Sequence, residues 1–153
     1  NYNVAIGNKT LNANNTGDDN VAVGNSALFS NTSNDNTAVG FNALYNTNAA
    51  NNVGIGWKAG NEITSGTDNV VIGYDASVGT STANNQIVIG SGVTGLGVNT
   101  AVIGSASTTA LYAAQDGEAT VYAGGMVLEG ATADGNETTL GLVDPTGDKW
   151  NIK

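Results

Sequence analysis

The sequence predicts an all-β fold: a parallel β-solenoid of about seven coils of 16–17 residues, followed by a small β segment. Three observations predict it. A five-residue phrase keeps returning, as Asn3-Val4-Ala5-Ile6-Gly7, Asn20-Val21-Ala22-Val23-Gly24, Asn36-Thr37-Ala38-Val39-Gly40, Asn52-Val53-Gly54-Ile55-Gly56 and Asn69-Val70-Val71-Ile72-Gly73. Two looser copies follow, Gln86-Ile87-Val88-Ile89-Gly90 and Thr100-Ala101-Val102-Ile103-Gly104. Second, the closing glycines are separated by steps of 17, 16, 16, 17, 17 and 14 residues. Third, the body of the phrase is rich in β-branched residues, which suit a strand. A near-constant step of this size around a short β-type body is the signature of coils that stack on their neighbours.

Aligned on the glycines, the coils become columns. The position three before Gly holds Val4, Val21, Thr37, Val53, Val70, Ile87 and Ala101, and the position one before holds Ile6, Val23, Val39, Ile55, Ile72, Ile89 and Ile103. Two-residue alternation puts both columns on one face of a strand. The expectation is that this face fills the coil interior. The column between them, Ala5, Ala22, Ala38, Gly54, Val71, Val88 and Val102, then points outward. With coils about 4.8 Å apart, that small apolar row runs roughly 29 Å. A row of this kind is normally covered, so it is the expected seam of self-association about an axis parallel to the stack. The alternative is a corner of a wide coil packed on its own chain.

Four before Gly stand Asn3, Asn20, Asn36, Asn52 and Asn69, then Gln86 and Thr100. Stacked Asn side chains can hydrogen-bond along the stack, and Asn tolerates left-handed backbone. The glycines serve the opposite turn, where φ is positive or packing is close. The Ala-Leu pairs at Ala27-Leu28 and Ala43-Leu44 are expected to form a second buried strand in each coil. Polar stretches such as residues 12–19 and 46–51 are the turn-rich connections. The period fails after Gly104, which divides the chain into a repeat region, 1–107, and a C-terminal cap or next module, 108–153. Expected strands there are 109–113, 119–123, 126–129, 138–143 and 149–152, separated by turn signals such as Asp144-Pro145-Thr146-Gly147. A cap would cover the open strand edge of the last coil.

Composition narrows the function classes. Gly is 22 of 153 residues, charged residues are 11%, and the net charge is −9 with four Lys and no Arg. No basic patch exists for nucleic acid, and anionic membrane surfaces are disfavoured. The 40% hydrophobic content and regular Val/Ile spacing oppose disorder. There is no Cys for a disulfide or thiolate metal site. No apolar run approaches the ~20 residues of a membrane span, and no signal peptide is visible. Because the first residues lie inside a repeat, a piece of a longer protein is expected.

Chemistry finds few candidates. Without His or Cys, nucleophilic triads lack their base, and no catalytic, cofactor or metal site is expected. Asp19 and Asp35 fall in one column on adjacent coils, about 5 Å apart. That separation is the one retaining glycosidases use, and it also suits a cation, but a solvated turn column explains it as well. Directly after Gly stand Asn8, Asn25, Phe41, Trp57, Tyr74, Ser91 and Ser105. The three consecutive aromatics, Phe41, Trp57 and Tyr74, form either a packing ladder or a strip for glycan contact. Thr positions form no continuous flat array of the kind an ice-binding surface needs.

The phrases Asn20 to Leu28 and Asn36 to Leu44 resemble the head repeats of trimeric autotransporter adhesins, although the steps here are slightly longer than is usual in that family. The resemblance implies a left-handed parallel β-roll with three chains about a common axis. The form Gly-x-x-Ala-Leu-x-x-Asn-Thr at Gly24 to Thr32 is similar to repeats of phage tail fibres. The stretch Leu128 to Leu140, followed by Asp144-Pro145-Thr146, is similar to segments of tail-fibre proteins of marine bacteriophages. Together they imply a non-enzymatic homotrimeric fibre or adhesion module, in a virion or at a cell surface, whose partners are its own copies and a host glycan or receptor.

Overall fold

The computed structural model describes residues 2–108 and the strand residues 142–143 and 149–150. The chain falls into two compact units, Asn1–Leu111 and Tyr112–Lys153. In the first, seven three-residue strands pair in parallel in chain order: β1 (Val4–Ile6), β2 (Val21–Val23), β3 (Thr37–Val39), β4 (Val53–Ile55), β5 (Val70–Ile72), β6 (Ile87–Ile89) and β7 (Ala101–Ile103). One strand per coil makes a β-solenoid of about six turns, with no helix among the described residues. The register follows the sequence columns: Val4 pairs Val21, Val21 pairs Thr37, Thr37 pairs Val53, and so on to Ile87 and Ala101.

The closing glycines turn the chain out of each strand with φ between +92° and +148°. They are also where the coils come closest. A Cβ on Gly40 would stand 2.3 Å from the carbonyl oxygen of Gly56, so only Gly satisfies both the dihedral and the stack.

The strands face the opposite way from the expectation. Ala22, Ala38, Val71 and Val88 are fully buried in the chain's own core, Gly54 is buried with them, and Val102 packs against the same core. Ala5, in the first coil, stays exposed. This column therefore lines the coil interior and is not an intermolecular seam. The physical reason is the opposite wall. Leu28, Leu44 and Ile63 are fully buried and occupy the interior, leaving room only for small strand residues. A Cβ on Gly54 would lie 2.6 Å from Leu44 Cγ. Where the opposing Leu gives way to Gly60, the strand residue grows to Val71, whose Cβ would lie 3.6 Å from a Cβ placed on Gly60.

The Ala-Leu segments are buried but are not strands. Leu11, Leu28 and Leu44 have φ of 49°, 50° and 49°, inside turns. A left-handed non-Gly residue costs about 1–2 kcal/mol. Full burial of a Leu side chain returns about 1.5–3 kcal/mol, and the backbone still pairs between coils. Leu28 N donates to Ala43 O (3.1 Å) and Leu44 N to Ala59 O (3.0 Å).

The Asn column forms a ladder. Asn20, Asn36, Asn52 and Asn69 are fully buried. Each Oδ1 accepts the backbone N–H of the next coil: Asn36 N to Asn20 Oδ1 at 3.0 Å, Asn52 N to Asn36 Oδ1 at 2.9 Å, Asn69 N to Asn52 Oδ1 at 3.1 Å. The Nδ2 groups donate mostly to backbone carbonyls, as Asn20 to Ser33 O (2.8 Å), Asn52 to Gly66 O (2.9 Å) and Asn69 to Ala83 O (2.9 Å). The left-handed turn lies one residue earlier than expected, at Asp19, Asp35, Asn51, Asp68, Asn85 and Asn99, with φ of 54–62°.

In the second unit, β8 (Leu142–Val143) pairs antiparallel with β9 (Lys149–Trp150), Leu142 opposite Trp150. These strands fall within the expected 138–143 and 149–152. The other expected strands, 109–113, 119–123 and 126–129, lie outside the described residues.

Candidate functional site

Phe41, Trp57 and Tyr74 follow the closing Gly on consecutive coils, and the coil repeat brings their rings together. Trp57 and Tyr74 stack with centroids 4.7 Å apart and planes 9° from parallel; Phe41 and Trp57 lie 6.3 Å apart at 13°. Lys58 Nζ sits 4.4 Å from the Trp57 ring centroid, a cation–π distance. Tyr74 stacks closely on Trp57, whereas the Phe41 ring, 6.3 Å away, is offset from it, and Phe41 and Tyr74 are themselves exposed. A second ladder, Phe29 on Tyr45 at 4.9 Å and 4°, was not singled out from sequence, though both residues stand five positions after a closing Gly.

Asp19 and Asp35 occupy adjacent rungs of one column, both exposed and both left-handed with φ of 59°. The column is a turn corner, as the Asx preference for this backbone requires. Among the described residues no group of three or more acidic side chains could hold a metal ion, and no pocket opens. One rung of this corner is tied to its neighbour: Asn51 Nδ2 donates to Asp68 Oδ1 (3.0 Å) and Thr67 Oγ1 to Asp68 Oδ2 (2.6 Å). The Thr67 hydroxyl, then the Asn51 amide, hold the Asp68 carboxyl below its ordinary value.

The surface that the sequence did not single out is the outer face of the strands. With the Ala/Gly/Val column turned inward, the flanking Val and Ile columns face out. Val4 is 45% exposed, Ile6 60%, Val39 37%, Ile55 39%, Ile87 43% and Ile103 53%, and the remaining rungs are half-buried except the exposed Ala101. Two adjacent columns, apolar at every rung but Thr37, thus run up all seven strands, roughly 29 Å at the spacing of stacked coils. No ionisable side chain interrupts them. The described acids Asp18, Asp19, Asp35, Glu62, Asp68 and Asp75 and the cations Lys9 and Lys58 stand at the turns. The signal that could have found this face was volume: Leu44 with Gly54, and Gly60 with Val71, are complementary pairs across one interior.

Compared with protein-family models, with curated proteins and with solved structures, the chain matches none. Among the described residues no helix is long and apolar enough to cross a membrane.

Proposed function

We propose that this chain is a non-enzymatic structural module of a homotrimeric fibre, part of the shaft or head of a phage tail fibre used in host attachment. The observation that carries the proposal is the Val/Ile-rich stripe on the outer face of the stack, which only Thr37 and Ala101 vary. An apolar face of this length on a chain of net charge −9 favours being covered. A rotation axis parallel to the solenoid brings the stripes of sister chains together at equal heights. The mechanism is mechanical: backbone and Asn ladders along the axis, with a shared apolar seam, make a stiff rod without a large core in any one chain. The resemblance of the repeats supports the left-handed, trimeric form, and the segment around Leu128 to Leu140 supports the tail fibre. The aromatic ladder then serves packing, and attachment falls to the displayed surface.

The head of a bacterial trimeric adhesin, binding matrix or a neighbouring cell, is the second reading, favoured by the phrases Asn20 to Leu28 and Asn36 to Leu44. A membrane-anchor barrel elsewhere in the full protein selects the adhesin; a virion-attachment domain selects the fibre.

Mass in solution together with a low-resolution scattering envelope tests the assembly. The expected result is three copies in a slender rod. A compact, folded monomer with the Val/Ile stripe in solvent overturns it.

A further inference from the structure

A stripe built from near-identical rungs raises a problem of register. If copies of this chain pack through it, as proposed above, displacing one copy by a single coil sets Val against Val or Ile almost everywhere. Only the end rung is lost. Only a partner with rungs at the same rise can meet every rung, and a second copy of this chain is such a partner. Hydrophobic contact alone, being non-directional, barely separates the aligned assembly from the slipped one. Some rung has to differ.

One does. In the column three before Gly, Thr37 stands among Val4, Val21, Val53, Val70 and Ile87. It lies in β3, directly between Val21 and Val53 in the ladder, half-buried on the outward face. Its hydroxyl makes no hydrogen bond within the described residues. Several threonines of the turns behave differently, although among the described residues Thr80, Thr82 and Thr94 also leave their hydroxyls unbonded, at exposed positions. Thr10 Oγ1 donates to Gly24 O (2.9 Å), Thr16 Oγ1 to Thr32 O (3.1 Å) and Thr64 Oγ1 to Ser81 O (3.3 Å). Thr37 thus carries a free donor and acceptor onto an otherwise apolar seam, where β-branched Val would fit the strand equally well.

We infer that Thr37 sets the axial register between copies of this chain. In register, the Thr37 hydroxyls of the copies meet at one height and satisfy one another. A slip of one coil places each against Val21 or Val53 of its neighbour and leaves a desolvated hydroxyl without a partner. That asymmetry is the one by which a single polar residue in a coiled-coil seam fixes alignment. Ala101, small where the rung below is Ile87, adds a weaker volume mismatch at the far end.

The test uses cross-linking, made clean by the absence of native cysteine. Two full-length chains of different tag length, one carrying Val53→Cys and the other Val70→Cys, are refolded together, oxidised and resolved without reductant. The expected result is same-site cross-links only. In a Thr37→Val background, cross-links between sites 53 and 70 rise roughly tenfold, the population change that one unsatisfied buried hydroxyl sets. Thr37→Ser, which keeps the hydroxyl, restores same-site pairing. If the chains associate but the cross-site fraction is equal in all three backgrounds, Thr37 does not set register and the assembly proposal stands. If the chains stay monomeric by mass and no cross-link forms, the assembly fails and this inference with it.

Discussion

The regular coils and the last coil solve the same backbone problem with different success. From Asn20 to Asn69 each buried amide takes the N–H of the next coil and gives its own hydrogens mostly to backbone carbonyls. At Gln86 the side chain is one methylene longer and the next step shrinks to 14 residues. Gln86 N still donates to Asn69 Oδ1 (3.1 Å), but Gln86 Oε1 receives only Gly97 N, at 3.3 Å, and the buried Nε2 has no partner. The closing glycines diverge in parallel. A Cβ on Gly56 or Gly73 would meet the carbonyl oxygen of the next closing Gly at 2.3 or 2.0 Å, whereas on Gly90 the nearest atoms of Gly104 lie at 3.4 Å. In the last coil Leu96 and Val98 are 81% and 55% exposed. The ladder is therefore a joint product of Asn and step length. When the step shortens, the same column position loses its satisfaction.

The largest expected effect that sharpens this contrast is at glycine. In Gly56→Ala the new Cβ meets the Gly73 carbonyl oxygen at 2.3 Å on a backbone with φ of +134°. A loss above about 4 kcal/mol, or failure to fold, is expected. Gly92→Ala, with φ of +61° and nothing within 4 Å, carries only the left-handed cost of about 1–2 kcal/mol. Urea midpoints at matched protein concentration compare them, and equal losses would break the distinction between a closing glycine pressed on the next coil and a glycine in open space.

Next comes the ladder. Asn52→Ala strips the acceptor from the Asn69 backbone N–H and Nδ2 and the donor from Gly66 O. Several buried groups left unsatisfied, at about 1–3 kcal/mol each, give an expected loss of roughly 3–5 kcal/mol. Gln86→Ala removes an amide that is already half unpartnered, and a change within about 1 kcal/mol is expected. The same urea series measures both; a Gln86→Ala loss matching that of Asn52→Ala contradicts the account.

The smallest effect is at the exposed corner. Hydrogen bonds from Thr67 and Asn51 lower the Asp68 value from 3.8. Because the folded value lies below the unfolded one, the contribution is present above the unfolded value and disappears as pH falls through the folded one. Asp68→Asn is expected to melt slightly below the parent near pH 6 and level with it in strong acid, with melting curves across pH as the check.

The sequence alone determined the period, the rungs and the partners of each rung. Columns aligned on the closing glycines are the columns that pair, from Val4 and Val21 to Ile89 and Ile103. It also determined that Phe41, Trp57 and Tyr74 would meet, and that the Asn column would bond along the stack, because stacking converts a fixed step into a neighbour. Only the tertiary structure decided which face is inside. Alternation says that Val21 and Val23 share a face and that Ala22 takes the other, and two arrangements satisfy this equally. The tie is broken across the coil, where buried Leu28 and Leu44 leave room for Ala, Gly or Val but not for two columns of Val and Ile. That the Leu segment is a left-handed turn was equally hidden, since local propensity disfavours it and burial outweighs the strain.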